Sequence, residues 1–535
     1  MNKPLGSIIG GSLADGLMMR VSLQTDLEQL KTGKFVSIHG ERYRFFSLIT
    51  DLKLELTHPD IVLFPPSEHE TLLRDALRSK DMYALAILRP MIALTNTGLV
   101  VPVKTIPPHF ASVYEATAQD IASIFGTESD PSQAYFGIGY PLDMTTPVCI
   151  NLEKLTERSN GIFGKTGTGK TFLTRLVLAG LTYKDKGVNL IFDMHSEYGL
   201  QARKEGNRES FVKGLKTLFP EKVAIFSLDP ASTRRRGGNP DVELTIAYRE
   251  IAVEDIISLD TELNLHSTAY EAAYLIAAKY KKHWLETFLS QGDRLKEFAQ
   301  EIGAHPESIA ALYRKLKALE RLPFIKPSID QDTKNDVIDQ MMAYIDRGIS
   351  IIIEFGNFTS SFCYLLVANI ITRRIHTLYM QKTEHFLGSH RKSDEPKKLV
   401  ITIEEAHKFL NTQAARQTIF GTIAREMRKY YVSLLIVDQR PSGIDPEVLS
   451  QIGTKIIAQL SDEKDINAVL TGVGNAHYLR SILAGLETKK QVLLLGHAIT
   501  MPIIIQTREY DETFYKDVRS PIATVSVEKL MKELF

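Results

Sequence analysis

Cysteine is nearly missing. The 535 residues hold only Cys149 and Cys363, far apart and each beside apolar or aromatic neighbours. A zinc site needs more ligands close together, so the pair reads as two buried free thiols. Usage this sparse suits a reducing cytoplasm. Net charge is also lacking, with 64 basic residues against 64 acidic ones. A surface that binds nucleic acid everywhere would be more basic, so any such site must be local, as in a ring or channel lining. No apolar run reaches the roughly 18 residues of a membrane span. The opening MNKPLGSIIGGS has no signal-peptide core. Repeats and low-complexity tracts are missing too. These absences predict a soluble cytoplasmic protein with no membrane partner. The apolar fraction of 44% supports a sizeable core, and the length suggests roughly three domains.

Four regions emerge along the chain. Residues 1–145 alternate short apolar runs (KFVSIH, YRFFSLIT, YALAILRPMIAL) with Gly, Asp, Asn and Pro. Closely spaced short strands of this kind predict a small β-barrel, with helix near TLLRDALRS and in ASVYEATAQDIASIF. Residues 146–249 and 347–509 carry uninterrupted β-branched or leucine-rich runs between helical stretches: GIF (161–163), VNLIFD (188–193), KVAIFSL (222–228), SIIIEF (350–355, or from Ile349 on a looser reading), KLVITIE (398–404), VSLLIVD (432–438), TKIIAQL (454–460) and QVLLLG (491–496). Such runs fit strands buried on both faces of a mostly parallel sheet, the α/β class. Residues 250–346 show helical spacing and no convincing strand, which predicts a helical insertion. Residues 381–398 are polar and predict a solvated loop. Residues 510–535 form a tail that ends in the amphipathic VEKLMKELF.

The stretch GIFGKTGTGKTF (161–172) matches the phosphate-binding pattern G-x-x-x-x-G-K-[ST] without deviation. Glycines let backbone N–H groups converge on phosphate oxygens, and the following helix adds its positive end. The predicted nucleotide-binding residues are Gly164, Lys165, Thr166, Gly167, Thr168, Gly169, Lys170, Thr171 and Phe172. Lys170 would reach the β and γ phosphates of ATP, and Thr171 would ligate Mg2+. Such a loop needs a neighbouring strand that ends in acid. KLVITIEEAHKFL supplies it: Glu404 for Mg2+, directly or through water, and Glu405 as the base that orients the attacking water. His407 has no second histidine at ligand spacing and reads as polar coupling to the site.

GKTGTGKT, FDMHSEYG (192–199), ITIEEAHKFL (401–410) and REMRKYYVSLLIVDQRPSGIDPEVLSQIGTKII (425–457) resemble the HerA branch of the HerA/FtsK ATPases. The likeness spans the α/β part, and the N-terminal region is similar to the barrel such proteins carry. Asp438 stands where the family often has Ser, and Glu404 where it often has Asp. The resemblance implies a P-loop, RecA-like ATPase core and a homo-hexameric ring that moves along double-stranded DNA. It also implies ATP shared between subunits, with Arg425 or Arg428 as the trans-acting finger on the γ-phosphoryl group. Gln439 would then be the sensor beside that group, while Arg440 would sit there too or brace Asp438. Asp193, His195 and Glu197 would line the edge of the crevice or a subunit interface. TRRRGGN (233–239), Lys408 and Arg416 are the basic candidates for DNA phosphates. No nuclease constellation is recognisable, so the resemblance implies a separate partner: a NurA-like nuclease in end processing, or a sirtuin-like or other effector in anti-phage defence. An alternative is an ATP-regulated ring scaffold that controls such an effector. A P-loop kinase or metabolic NTPase fits the length and the arginines poorly.

Overall fold

The computed structural model describes residues 3–57, 67, 69–142, 144–204, 207–327, 336–473, 476–487 and 490–519. VEKLMKELF lies outside them. The chain divides into two compact units, residues 1–151 with 454–508, and residues 152–453 with 509 onward.

The larger unit is built on a parallel sheet. Its strand order is Val242–Glu243, Val223–Ser227, Ser350–Glu354, Val188–Asp193, Leu399–Glu404, Val432–Asp438, Asn160–Phe163. Every neighbouring pair in that series is parallel. Each residue of Val188–Asp193 and of Val432–Asp438 is buried, which explains why these strands read as continuous apolar runs. The helix Lys170–Tyr183 is buried along its length from Leu173 to Thr182. Between Val253 and Asp346 the described residues are largely helical, and the one short strand among them, Ile325–Lys326, pairs with Ile246–Ala247. Trp284 anchors this region by donating its indole N–H to the Ile251 carbonyl at 2.8 Å.

Residues 381–389 are helix, not loop. They extend a 29-residue helix, Ser361–Ser389, which Ser360 caps by accepting from the Cys363 N–H. The polar tail of that helix holds because Thr383 is buried and Lys382 pairs with Asp346 at 2.5 Å. Polar composition marks a solvated face, and a helix can carry one.

In the other unit, seven antiparallel strands between Gly6 and Glu115 follow the order Gly16–Val21, Gly6–Ser12, Ser112–Glu115, Phe35–His39, Tyr43–Leu56, Met82–Thr95, Val100–Pro102. Gly16–Val21 also pairs with Met82–Thr95, so the hydrogen-bonded circuit returns on itself. Val36, Ile38, Phe45, Ile49, Leu88 and Val113 fill its core. The same unit holds the run Thr454–Ile457, Gln491–Gly496, Ile503–Thr507, Tyr135–Pro141, Val148–Asn151, antiparallel throughout. Two of these strands were expected in the mostly parallel sheet. A strand buried on both faces has the same composition in either direction. The short link from Gly496 to Ile503 permits only an antiparallel neighbour, because a parallel one needs a crossover.

Candidate nucleotide-hydrolysis site

Four strands of the larger unit end beside one another, at Phe163, Asp193, Glu404 and Asp438, and the site residues leave from those ends. Ligands in open parallel sheets bind at this edge. The register sets Phe163 opposite Asp438 and Glu404 opposite Val437. The turns that follow Glu404 and Asp438 therefore start level with the phosphate loop.

In that loop Gly167 and Gly169 have φ values of 79° and 87°. A Cβ on either would meet nothing within 4 Å, so both are chosen for conformation and for an open approach. Gly169 begins the helix without a side-chain cap, which leaves the first-turn N–H groups to an anion. Lys170 Nζ donates to the Lys165 carbonyl at 3.1 Å, and Thr168 Oγ1 donates to the same oxygen at 2.8 Å. The Phe172 ring packs edge-on to Tyr510, with the Arg175 guanidinium 5.4 Å from its centroid.

Glu404 and Glu405 leave the strand in different directions. The Tyr198 phenol donates to Glu404 Oε1 at 2.6 Å, and the Glu404 N–H donates to the Tyr364 hydroxyl at 2.9 Å. Burial pushes the Glu404 carboxyl up to about 8. The Tyr198 hydrogen bond opposes this, and the charges of Asp193, Glu197 and Glu405 add to it. Hard oxygen donors with surplus negative charge are what Mg2+ favours. Thr171 and Glu404 thus suit that ion by donor type. Glu405 has φ 49°, an unusual value for a residue with a side chain. Gln439 Nε2 donates to its two oxygens at 3.0 and 3.2 Å. Gln439 Oε1 in turn accepts from Thr166 Oγ1 at 2.5 Å. One amide thereby joins the phosphate loop to Glu405.

His407 pairs with Asp438, Nδ1 to Oδ2, at 3.0 Å. That hydrogen bond is the largest reason the imidazole pKa is raised, with burial opposing it. The Arg440 N–H donates to Asp438 at 2.6 Å, so the backbone of Arg440 braces this carboxylate. Asp193 accepts the N–H groups of Glu197 and Tyr198, both at 2.8 Å, and so shapes the turn that carries Tyr198. Burial, then the charge of Glu354, lifts Asp193 to about 7. His195 is exposed on the same turn.

Arg425 donates from Nη2 to the Ala415 carbonyl at 2.9 Å. The side chains of Arg428 and Arg416 lie outside the described ones. Lys408 donates to Ser361 Oγ at 3.0 Å. Within the basic TRRRGGN segment, Arg236 is committed to buried Glu354 at 2.5 Å and Arg234 to Glu243 at 2.7 Å. Those two guanidiniums serve internal pairs.

Sequence reasoning did not assign Tyr198, Tyr364 or Arg175. Arg175 is 2% exposed and gives Nε and Nη2 to the Glu197 carbonyl at 3.0 and 2.6 Å. An arginine inside the otherwise apolar FLTRLVLAGL was the available signal. The two tyrosines gave none, because each meets Glu404 only through the fold.

Residues 136–375 match the family model described as Helicase HerA, central domain. The DNA double-strand break repair helicase HerA of Sulfurisphaera tokodaii is 26% identical over 418 residues, covering 74% of this chain and 72% of that protein. Its namesake in Saccharolobus solfataricus is 24% identical over 442 residues, covering 81% and 79%. Among solved structures, VirB4 of Thermoanaerobacter pseudethanolicus aligns with 71% of this chain and 98% of its own at 14% identity, with a TM-score of 0.44. With an uncapped glycine loop tied through one amide to a strand-end glutamate, the chain is similar to the HerA helicases along most of its length, and its central region, residues 136–375, is that of a HerA-like ATPase.

Proposed function

We propose that the protein is a homo-hexameric translocase that couples ATP hydrolysis to movement along double-stranded DNA. The observation that carries this reading is the bridge from Thr166 through Gln439 to Glu405. A base tied to the phosphate loop by one amide can report whether a γ-phosphate is present. The names of the relatives, DNA double-strand break repair helicases, support DNA as the track.

The loop amides and Lys170 hold the triphosphate. Thr171 and Glu404 would hold Mg2+, which neutralises charge that builds on the phosphoryl oxygens. Glu405 accepts a proton from the attacking water, or orients that water, for in-line attack on the γ-phosphorus. When phosphate leaves, Thr166 and Gln439 lose the charged group beside them, and the turn after Asp438 is released to move. Arg425 uses one of five guanidinium donors on the Ala415 carbonyl. It can therefore swing to a neighbour's γ-phosphate; Arg428 is the second candidate for that role. The separate nuclease or defence effector that the resemblance implies would dock on the smaller unit.

Displacement of the third strand from a DNA triplex tests the reading. ATP-dependent displacement, with turnover stimulated by duplex DNA, is expected. Turnover indifferent to duplex DNA, with no displacement, would overturn it. Mixed rings test the shared site. Lys170→Ala and Arg425→Ala subunits, each inactive alone, should regain turnover together.

A further inference from the structure

We infer that His407 and Asp438 form a positioning pair that holds Glu405 and Gln439 in working geometry. The inference rests on the hydrolytic role of Glu405 proposed above, and it assigns a task to two side chains outside that role.

Asp438 is 1% exposed, so its carboxylate must be satisfied by protein donors. It accepts the His407 N–H at 2.6 Å, the Arg440 N–H at 2.6 Å, and a bond from His407 Nδ1 at 3.0 Å. Because the ring nitrogen faces a carboxylate, the proton lies on Nδ1. The same Nδ1 stands 3.6 Å from Glu405 Oε2. An imidazole therefore sits between two carboxylates, one buried beside it and one reaching toward the phosphate loop.

The chain positions make this pair consequential. Glu405 and His407 leave one strand end; Asp438 and Gln439 leave its neighbour. The two turns are tied twice, by His407 to Asp438 and by Glu405 to Gln439. Asp438 and Gln439 are consecutive, so any slack in the first tie is passed directly to the second. Glu405 also has φ 49°, a conformation that surrounding contacts must impose. The first tie supplies such a contact from outside the loop. Glu405, His407 and Asp438 also group closely enough to invite a metal reading. The donors already spent on Asp438, and the proton on Nδ1, favour a hydrogen-bonded pair.

The experiment measures kcat and KM for ATP in the full-length protein, with binding of a fluorescent ATP analogue as control. His407→Ala should lower kcat about tenfold or more while KM and analogue affinity stay within about threefold, since the phosphate loop is untouched. His407→Asn places an amide N–H near Nδ1 and should restore a large part of the lost rate. Asp438→Asn should lower kcat similarly, and the double variant His407→Ala with Asp438→Asn should be no worse than the poorer single. Wild-type kcat in His407→Ala, additive losses in the double variant, or His407→Asn as slow as His407→Ala would each overturn the inference. Full turnover in Glu405→Ala would instead overturn the assignment of the base, which separates the two failures. Zinc retained after chelation by the wild-type chain and lost in His407→Asn would overturn the pair in favour of a metal site.

Discussion

The Tyr198 phenol donates to Glu404 Oε1 at 2.6 Å, which joins the turn after the second strand of the site to the acidic end of the central one. Arg175 holds that turn from the other side through the Glu197 carbonyl. The helix that begins in the phosphate loop thus reaches Glu404, the proposed Mg2+ ligand, in two steps. Tyr198→Phe removes a donor that favours the ionised form of Glu404, so the carboxyl will bind its proton more tightly. The variant should need several-fold more Mg2+ for half-maximal turnover at pH 7. The deficit should narrow toward pH 9, where the carboxyl ionises unaided. Magnesium titrations at the two pH values measure it.

Stability without nucleotide should fall as pH rises from about 4.5 to about 8. Asp193 is lifted from 3.8 to about 7 and Glu404 from 4.5 to about 8, both chiefly by burial. In that window the folded chain keeps protons that the unfolded chain has released. Proton binding therefore favours the folded state below the window, and the benefit is lost as pH passes through the folded values. Thermal unfolding at pH 6 and pH 8 should give the higher Tm at pH 6. Mg2+ with ATP should narrow the difference by favouring ionised Glu404.

Arg236 and Arg234 lie two residues apart and should differ in how much stability they carry. Glu354 is fully buried, and Arg236 is its cationic partner; both members of the Arg234–Glu243 pair are exposed. Arg236→Ala leaves a buried carboxylate supported by the Thr233 hydroxyl and should cost about 3 kcal/mol. Arg234→Ala should cost less than about 1 kcal/mol. Denaturant unfolding of the two variants makes the comparison.

Lys170→Ala and Glu405→Gln should both abolish turnover, for different reasons. Loss of Lys170 removes a cation from the phosphates and should weaken ATP binding. Glu405→Gln keeps the loop intact and should trap bound ATP, with kcat lowered about 100-fold or more. Equilibrium binding and single-turnover hydrolysis separate the two, and mass photometry should find the same oligomer in both.

Much of the site was legible before the fold was known. The glycine spacing, Lys170 and Thr171 stand out because a phosphate loop needs those groups at fixed chain distances, and Glu404 and Glu405 stand out as acid at the end of an apolar run. Gln439 was named through the family resemblance, and its ties to Thr166 and Glu405 came only from the fold. Tyr198, Tyr364 and Arg175 were not, because their partners lie on other elements, up to 206 residues away for Tyr198. The strands at 454–457 and 491–496 were recognisable as strands, but burial on both faces hides direction. The helix through residue 389 was missed because a polar stretch reads the same on a helix face as in a loop.

By itself the sequence determined the local chemistry: a phosphate loop, a strand that ends in two glutamates, and the periodicities of an α/β chain. These follow from covalent spacing and backbone preference, which act over a few residues. Only the tertiary structure decided that Gln439 bridges Thr166 and Glu405, that His407 answers to Asp438, and that two of three clustered arginines serve internal carboxylates. The physical reason is that hydrogen bonds and ion pairs act over about 3 Å in space, whatever the separation along the chain.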